Sequence, residues 1–207
     1  MKSILFDNVH LYNDLNLVVA PFEIAPAKAK TNFVDVAGAD GSLDLTEAFG
    51  EVKFADREGS LIFYVLPGDD WERKKQLIGS INGAQSKLTL EKDPEYYYLG
   101  RFTVNEYKSD RMLRQITVNY RLKPYKYKHN VTTVTLGKGT HSIICDRMPV
   151  VPVITATKSA KITFGGSTYS INAGTHKLLD IRFTEGANEL TIDTTGSVTF
   201  EYQEGAL

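Results

Sequence analysis

The sequence has 207 residues, 42% of them hydrophobic and 24% charged, which allows a sizeable core and argues against long disorder. Lys and Arg number 24 against 25 Asp and Glu, a net charge of −1, so nothing global draws the chain to nucleic acid or anionic lipid. A single cysteine, Cys145, excludes an internal disulfide and a Cys-rich zinc site, and no apolar run has the length of a signal peptide core or a membrane span.

Strand signals dominate in chain order. The alternating apolar residues predict strands over Ser3–His10, Leu15–Ile24 and Ala29–Val36, followed by a glycine turn at Gly38-Ala39-Asp40-Gly41-Ser42. Glu51–Arg57 and Ser60–Leu66 read as a hairpin closed around Glu58-Gly59. The unbroken run Leu61–Leu66 predicts a strand covered on both faces. Pro67-Gly68 then breaks the chain. Asp69 as N-cap with Glu72 as its capping-box partner predicts one helix over about 69–82, with Trp71, Ile78 and Ile81 on its apolar face and Gly83 as its stop. Strands resume at Ser86–Glu91, Tyr96–Val104 and Arg114–Leu122.

Lys123–Asn130 lacks a core pattern and reads as a domain boundary, with one domain over 1–128 and another over 129–207. The first carries 18 basic and 18 acidic residues, the second 6 and 7. Beyond the boundary, short strands recur every eight to twelve residues between glycines. They are Val131–Leu136, His141–Cys145, Val151–Ala156, Ala160–Phe164, Ser167–Ile171, Thr175–Ile181, Glu189–Ile192 and Ser197–Tyr202. That spacing predicts a small antiparallel sandwich or jelly roll. The fold class is therefore mainly β, a β-rich α+β chain. It has an N-terminal β-sandwich-like domain with one packed helix and a C-terminal β-sandwich.

Catalytic signals are weak. His10, His129, His141 and His176 lack ligand spacing. Cys145 and Asp146 are neighbours on a strand and point to opposite faces, so a triad with His141 is not expected. Leu136–Thr140 departs from a phosphate loop in its glycine spacing, in Gly139 after the lysine, and in leading into a strand. Asp40 with Asp44, or Asp69 with Asp70, forms a glycosidase pair only if burial raises one carboxyl. Arg121–His129 interleaves lysines with Tyr125 and Tyr127, a pattern suited to single-stranded nucleic acid or to a solvated strand face. No enzyme activity, metal or cofactor is expected. The alternative function is a carbohydrate-binding module for host cell-wall glycans, for which Tyr169, Phe183, Phe200 and Tyr202 are the available aromatics, several of them expected in the core.

One stretch is recognisable. Gly38-Ala39-Asp40-Gly41-Ser42-Leu43-Asp44-Leu45-Thr46 is followed by Phe49-Gly50-Glu51-Val52, then by Phe54-Ala55-Asp56-Arg57-Glu58 and the apolar run from Leu61. This resembles the N-terminal half of siphophage (prophage) distal tail proteins. Thr184–Ile192 resembles the turn and strand of that family's outer domains. The resemblance implies a virion structural protein whose 1–128 domain closes a hexameric ring and whose outer sandwich is galectin-like. It implies a place in the virion tail, joining the tail tube to the tip, baseplate and host-adsorption apparatus. The implied partners are itself, the tail tube protein, the tape-measure protein and the tail-tip or tail-associated lysin protein. It allows a weak cell-wall glycan contact, with DNA only passing through the ring and no membrane partner. The family supplies no active-site residues. Exposed strand edges are natural ring contacts, so Asp40, Gly41, Ser42, Leu43, Asp44, Leu45 and Thr46 are the candidate interface region.

Overall fold

The computed structural model describes residues 4–48, 50–110 and 113–207, and its contacts divide the chain into Met1–Pro124 and Tyr125–Leu207. Ser3 of the first expected strand and Phe49 of the recognisable stretch lie outside the described residues.

The first unit holds β1 (Ile4–Phe6), β2 (Val9–His10), β3 (Leu17–Val19), β4 (Phe33–Asp35), β5 (Ser42–Asp44), β6 (Arg57–Val65), α1 (Trp71–Gly79), β7 (Gln85–Leu90), β8 (Asp93–Ser109) and most of β9 (Arg114–Lys128). Seven of these strands form one sheet in the order β2-β1-β7-β8-β9-β6-β3. Strand alternation explains its core. Leu61 and Phe63 on β6, and Ile116 and Val118 on β9, are fully buried on one side, with Leu88, Phe102 and Ile78 packed against the same cluster. Phe6 meets the edge of Phe102 at a ring separation of 4.6 Å.

Several expectations change for physical reasons. Ser3–His10 is not one strand, because Asp7 and Asn8 take positive φ (46° and 77°) and turn the chain back as a two-residue hairpin. Glu58-Gly59 is not a turn. It lies within β6, where Gly59 faces Tyr120 and a Cβ would sit 2.4 Å from the Tyr120 hydroxyl oxygen. The glycine marks a close approach within a strand. The helix is capped by Asp70, whose carboxylate accepts from the Arg73 N–H at 3.1 Å, and it ends at Ser80 before Gly83 is reached. Asp69 instead accepts from the Asn16 amide at 2.9 Å. On β6, Leu61, Phe63 and Val65 are buried, whereas Ile62 and Tyr64 are only half-buried, so the run is fully covered on one face alone.

Tyr125–Lys128 belongs to β9, not to an irregular linker. Its partner is the last strand, β18 (Gly205–Ala206), pairing Gly205 with Tyr127 and Ala206 with Lys126. The rest of this unit comprises β10 (Thr132–Leu136), β11 (Gly139–Cys145), β12 (Val153–Ala156), β13 (Ala160–Phe164), β14 (Ser167–Ile171), β15 (Gly174–His176), β16 (Gly186–Thr194) and β17 (Val198–Tyr202). Two antiparallel four-stranded sheets result, β10-β17-β12-β15 and β11-β16-β13-β14. Ile154, Ile162, Ile181, Phe183, Ile192 and Phe200 fill the core between them. This is a mainly β chain with one helix among the described residues, as the sequence pattern predicts.

The C-terminal residues are held by charge as well as by pairing. The Lys128 ammonium bonds the Glu204 carboxylate and lies 2.9 Å from Asp146, and these bonds, Glu204's first, raise its pKa. Lys128 N–H donates to the Glu204 carbonyl at 3.0 Å, and Met148 N–H to the Gly205 carbonyl at 3.1 Å.

Candidate functional site

Two surfaces of the first unit stand apart from its core. The first is an arm. Its root is set by Lys30 N–H to the Lys53 carbonyl at 2.7 Å and Ala55 N–H to the Lys28 carbonyl at 2.8 Å. From there the two chains run as a ribbon into β4 and β5, which pair Phe33 with Asp44, Val34 with Leu43 and Asp35 with Ser42. The turn between them holds Gly38 and Gly41 at φ 82° and 75°, a left-handed conformation that only glycine adopts without strain. Asn32 N–H donates to the Thr46 hydroxyl at 3.1 Å, and Thr46 N–H to Asp44 at 2.9 Å. The bonds that Thr46 makes to Asp44, the side chain's first and the backbone N–H's second, lower the Asp44 pKa and keep the carboxylate ionised.

Every residue of β4 and β5 is exposed. The register gives the ribbon two unlike sides. One presents Phe33, Asp35, Ser42 and Asp44. The other presents Val34, Val36 and Leu43, which are 41%, 48% and 53% exposed. A two-stranded ribbon with no packed face is marginal alone, which makes its apolar side a candidate interaction surface. The sequence reading identified Asp40–Thr46 as an edge, and the structure places those seven residues in the turn, in β5 and just beyond it. Phe33, Val34 and Val36, on the opposing strand, were not singled out. Their alternation is that of any half-buried strand.

The second surface is a trough on the solvent side of the sheet. Arg101 of β8, Asn119 and Arg121 of β9, and Glu58 and Ser60 of β6 line an open depression of 590 Å³ around Gly59. An adjoining one of 360 Å³ adds Asp56, Gln85, Gly100 and Lys123. On the opposite, core-facing side, added side chains at 59 and 100 would meet Tyr120, and the Arg121 carbonyl and Leu122, respectively. Arg121 Nε sits 2.9 Å from Asp56 and 3.6 Å from Glu58. Sequence reasoning included Arg121 and Lys123 in a basic stretch but had no signal for Arg101. Only strand pairing brings that residue beside them.

The weaker chemical candidates are not drawn together. His141 Nε2 lies 3.0 Å from the Gly137 carbonyl, and Asp146 pairs with Lys128, while Cys145 is buried. Burial, the largest cause, raises the Cys145 pKa, and the bond with Tyr202 opposes it. Folded protein at pH 8 should therefore alkylate with iodoacetamide at least roughly tenfold more slowly than unfolded protein, as read by intact-mass spectrometry. Lys138 of the phosphate-loop-like stretch pairs with Asp193 at 2.8 Å. A glycosidase acid needs a raised carboxyl pKa, and that of Asp44 moves the other way. Lys126 and Tyr127 of the basic, aromatic stretch are engaged with β18.

The sandwich faces carry threonine ranks. Thr135, Thr199, Thr155 and Thr175 lie side by side across one sheet, and Thr140, Thr191, Thr163 and Thr168 across the other. Outer pairs are hydrogen-bonded to each other, at 2.9 Å for Thr135–Thr199 and 3.0 Å for Thr140–Thr191. Cross-strand pairs of this kind stabilise a sheet. Of the candidate sugar platform, Phe183, Phe200 and Tyr202 are core residues and Tyr169 packs against the core.

These features define a mainly β protein of two units, a sheet domain with one helix and an extended arm, and a two-sheet sandwich. No family model matches the sequence, and no curated protein does. Among solved structures, the crystal structure of the Dit protein of SPP1 is similar at a TM-score of 0.69 and 14% identity, covering 98% of this chain and 99% of that one. That protein is described as a paradigm of the hub adsorption apparatus in phages infecting Gram-positive hosts. The likeness is one of fold, and it spans both units. No helix among the described residues is long and apolar enough to cross a membrane.

Proposed function

We propose that this chain is a structural component of a siphophage tail, a distal tail protein that closes a ring of six copies and joins the tail tube to the tip and host-adsorption apparatus. The observation that carries the reading is the fold shared with SPP1 Dit along the full length of both chains. The exposed arm supports it, because a ribbon of this kind gains stability when another chain covers it. The region Asp40–Thr46 takes part in ring formation. The apolar side of the arm, Val34, Val36 and Leu43, is the surface offered to the tube or tip component stacked on the ring. The domain over 1–128 forms the ring, and the remaining sandwich decorates its outside.

Electron microscopy of the purified chain, with antibody labelling of whole virions, tests the reading. The expected result is ring particles of six subunits and label where the tail tube meets the tip. Virions with no label at that junction would sink the proposal.

A further inference from the structure

Two guanidinium groups face each other across the trough. A Cβ at position 100 would lie 2.8 Å from the Leu122 Cα, so Gly100 of β8 stands opposite Leu122 of the neighbouring β9. The turn in which Asp110 N–H donates to the Leu113 carbonyl at 2.9 Å makes these two strands antiparallel. Arg101 is therefore opposite Arg121. Leu122 is buried in the core, so the arginine pair beside it points to solvent. On the far side of β8, Gln85 pairs with Arg101, and on the far side of β9, Glu58 pairs with Arg121. Lys123 and Asp56 line the same depression of 360 Å³ as Gln85, Arg101 and Arg121.

Like charges directly opposite each other destabilise a sheet. The chain's own carboxylates offset this on one side only. Asp56 lies 2.9 Å and Glu58 3.6 Å from Arg121, and both approach its Nε. Among the described residues, the terminal nitrogens of Arg121 have no hydrogen-bond partner. Arg101 donates to the Gly83 carbonyl at 2.8 Å and, like Lys123, has no carboxylate partner among the described residues. The Gln85 amide is unengaged among them as well. Gln85, Arg101, Arg121 and Lys123 are all exposed. Toward β8 the trough thus offers more donors than the chain supplies acceptors.

We propose that Arg101, Arg121, Lys123 and the Gln85 amide form a binding site for a phosphate group with at least three free oxygens, as in a phosphomonoester or the free ion. A guanidinium binds oxyanions through a two-pronged fork, and an ammonium binds them as a point charge. A carboxylate has two oxygens and fills one fork. A terminal phosphate has three acceptor oxygens and more charge, so it bridges both forks and still meets Lys123. Bound there, it lies between the two guanidinium groups and offsets their repulsion. The depression of 360 Å³ also leaves room for a group that carries the phosphate. Asp56 and Glu58 border the site on the β6 side and repel an anion, which directs it toward Arg101. The site lies wholly within one copy of the first unit, so it is independent of ring closure.

The test titrates the full chain with phenyl phosphate, inorganic phosphate, dimethyl phosphate or acetate, followed by nuclear magnetic resonance. Ionic strength is held constant with chloride, which removes screening as a cause. The expected result is saturable shifts at Gln85, Arg101, Arg121 and Lys123, with phenyl phosphate bound at least roughly tenfold more tightly than dimethyl phosphate or acetate. Inorganic phosphate bound as tightly as phenyl phosphate supports the site and assigns it to the free ion. Weaker binding of inorganic phosphate supports it and assigns it to a phosphomonoester. Arg101→Gln with Lys123→Gln should weaken binding at least roughly tenfold, whereas Lys108→Gln, farther along β8, should leave it unchanged. Gln85→Glu keeps every cation but sets a carboxylate beside Arg101, and it should weaken binding as much. That single variant decides the matter if the double variant does not fold. Shifts that do not saturate, acetate or dimethyl phosphate bound as tightly as phenyl phosphate, or equal weakening by Lys108→Gln overturns the proposal.

Discussion

Replacing Phe183 by alanine is expected to lower the stability of the C-terminal sandwich by about 3–5 kcal/mol. Phe183 has 0% exposure. Its ring lies 5.9 Å from Phe164, 5.8 Å from Phe200 and 5.5 Å from Tyr202, the first and last edge to face. The residue belongs to no long strand. Val150 holds its backbone on both sides, donating to the Phe183 carbonyl at 2.9 Å and accepting from its N–H at 2.8 Å. Truncation therefore empties the middle of the core, while the backbone pairing keeps neighbouring segments from collapsing into the gap. Calorimetry or urea unfolding of the full chain should show the C-terminal transition shifted and the N-terminal one little changed, because the two hydrophobic clusters are separate sets of residues. A loss below about 1 kcal/mol would contradict this placement. The experiment also bears on glycan binding. A platform aromatic loses ligand without loss of fold when truncated, whereas a core aromatic loses fold first.

What the sequence revealed depended on where the determining partner lay. The strands Ala160–Phe164 and Ser167–Ile171 were read with their true ends, because Gly165-Gly166 between them is a local turn and both glycines take positive φ. The helix was legible for the same reason, although Asp70 competed with Asp69 for the cap and won by a single residue. Non-local determinants stayed hidden. Gly59 looks like a turn until Tyr120, sixty-one residues on, is known to cover it. Tyr125–Lys128 looks like a linker until the C-terminus returns to pair with it. The candidate surfaces divide in the same way. The Asp-Gly-Ser turn of the arm is written locally, but nothing local says that both strands beyond it are exposed. The trough is assembled from β6, β8 and β9, so its charges become neighbours only through the register of the sheet.

Asn188→Ala should cost the same sandwich about 3 kcal/mol, although the residue contributes almost no apolar area. Its side chain is 5% exposed. The amide oxygen accepts from Thr184 N–H at 2.9 Å, and the amide nitrogen donates to the carbonyls of Thr184, Gly186 and Ile143 at 2.8, 3.1 and 3.3 Å. One side chain thus replaces the backbone partners that the Thr184–Gly186 loop lacks as it enters β16, and it ties that loop to β11. Gly186, at φ 90°, lets the chain turn tightly around it. Alanine leaves these groups buried without partners, which is the expensive half of a hydrogen bond. Asn188→Asp separates this account from simple loss of volume. A carboxylate still accepts from Thr184 N–H but faces three carbonyl oxygens, so its ionised form is disfavoured and its pKa rises above the unfolded value of about 4. A folded-state pKa above the unfolded one makes stability greatest below that unfolded value and lowers it as pH climbs through the interval between the two. The Asn188→Asp variant should accordingly approach wild-type stability near pH 4 and fall below the alanine variant at pH 8, values set about the ordinary carboxylate range. The alanine variant, having no group to titrate there, should keep a constant deficit relative to wild type. Parallel pH profiles for the two variants would mean that the amide donors do not hold the loop.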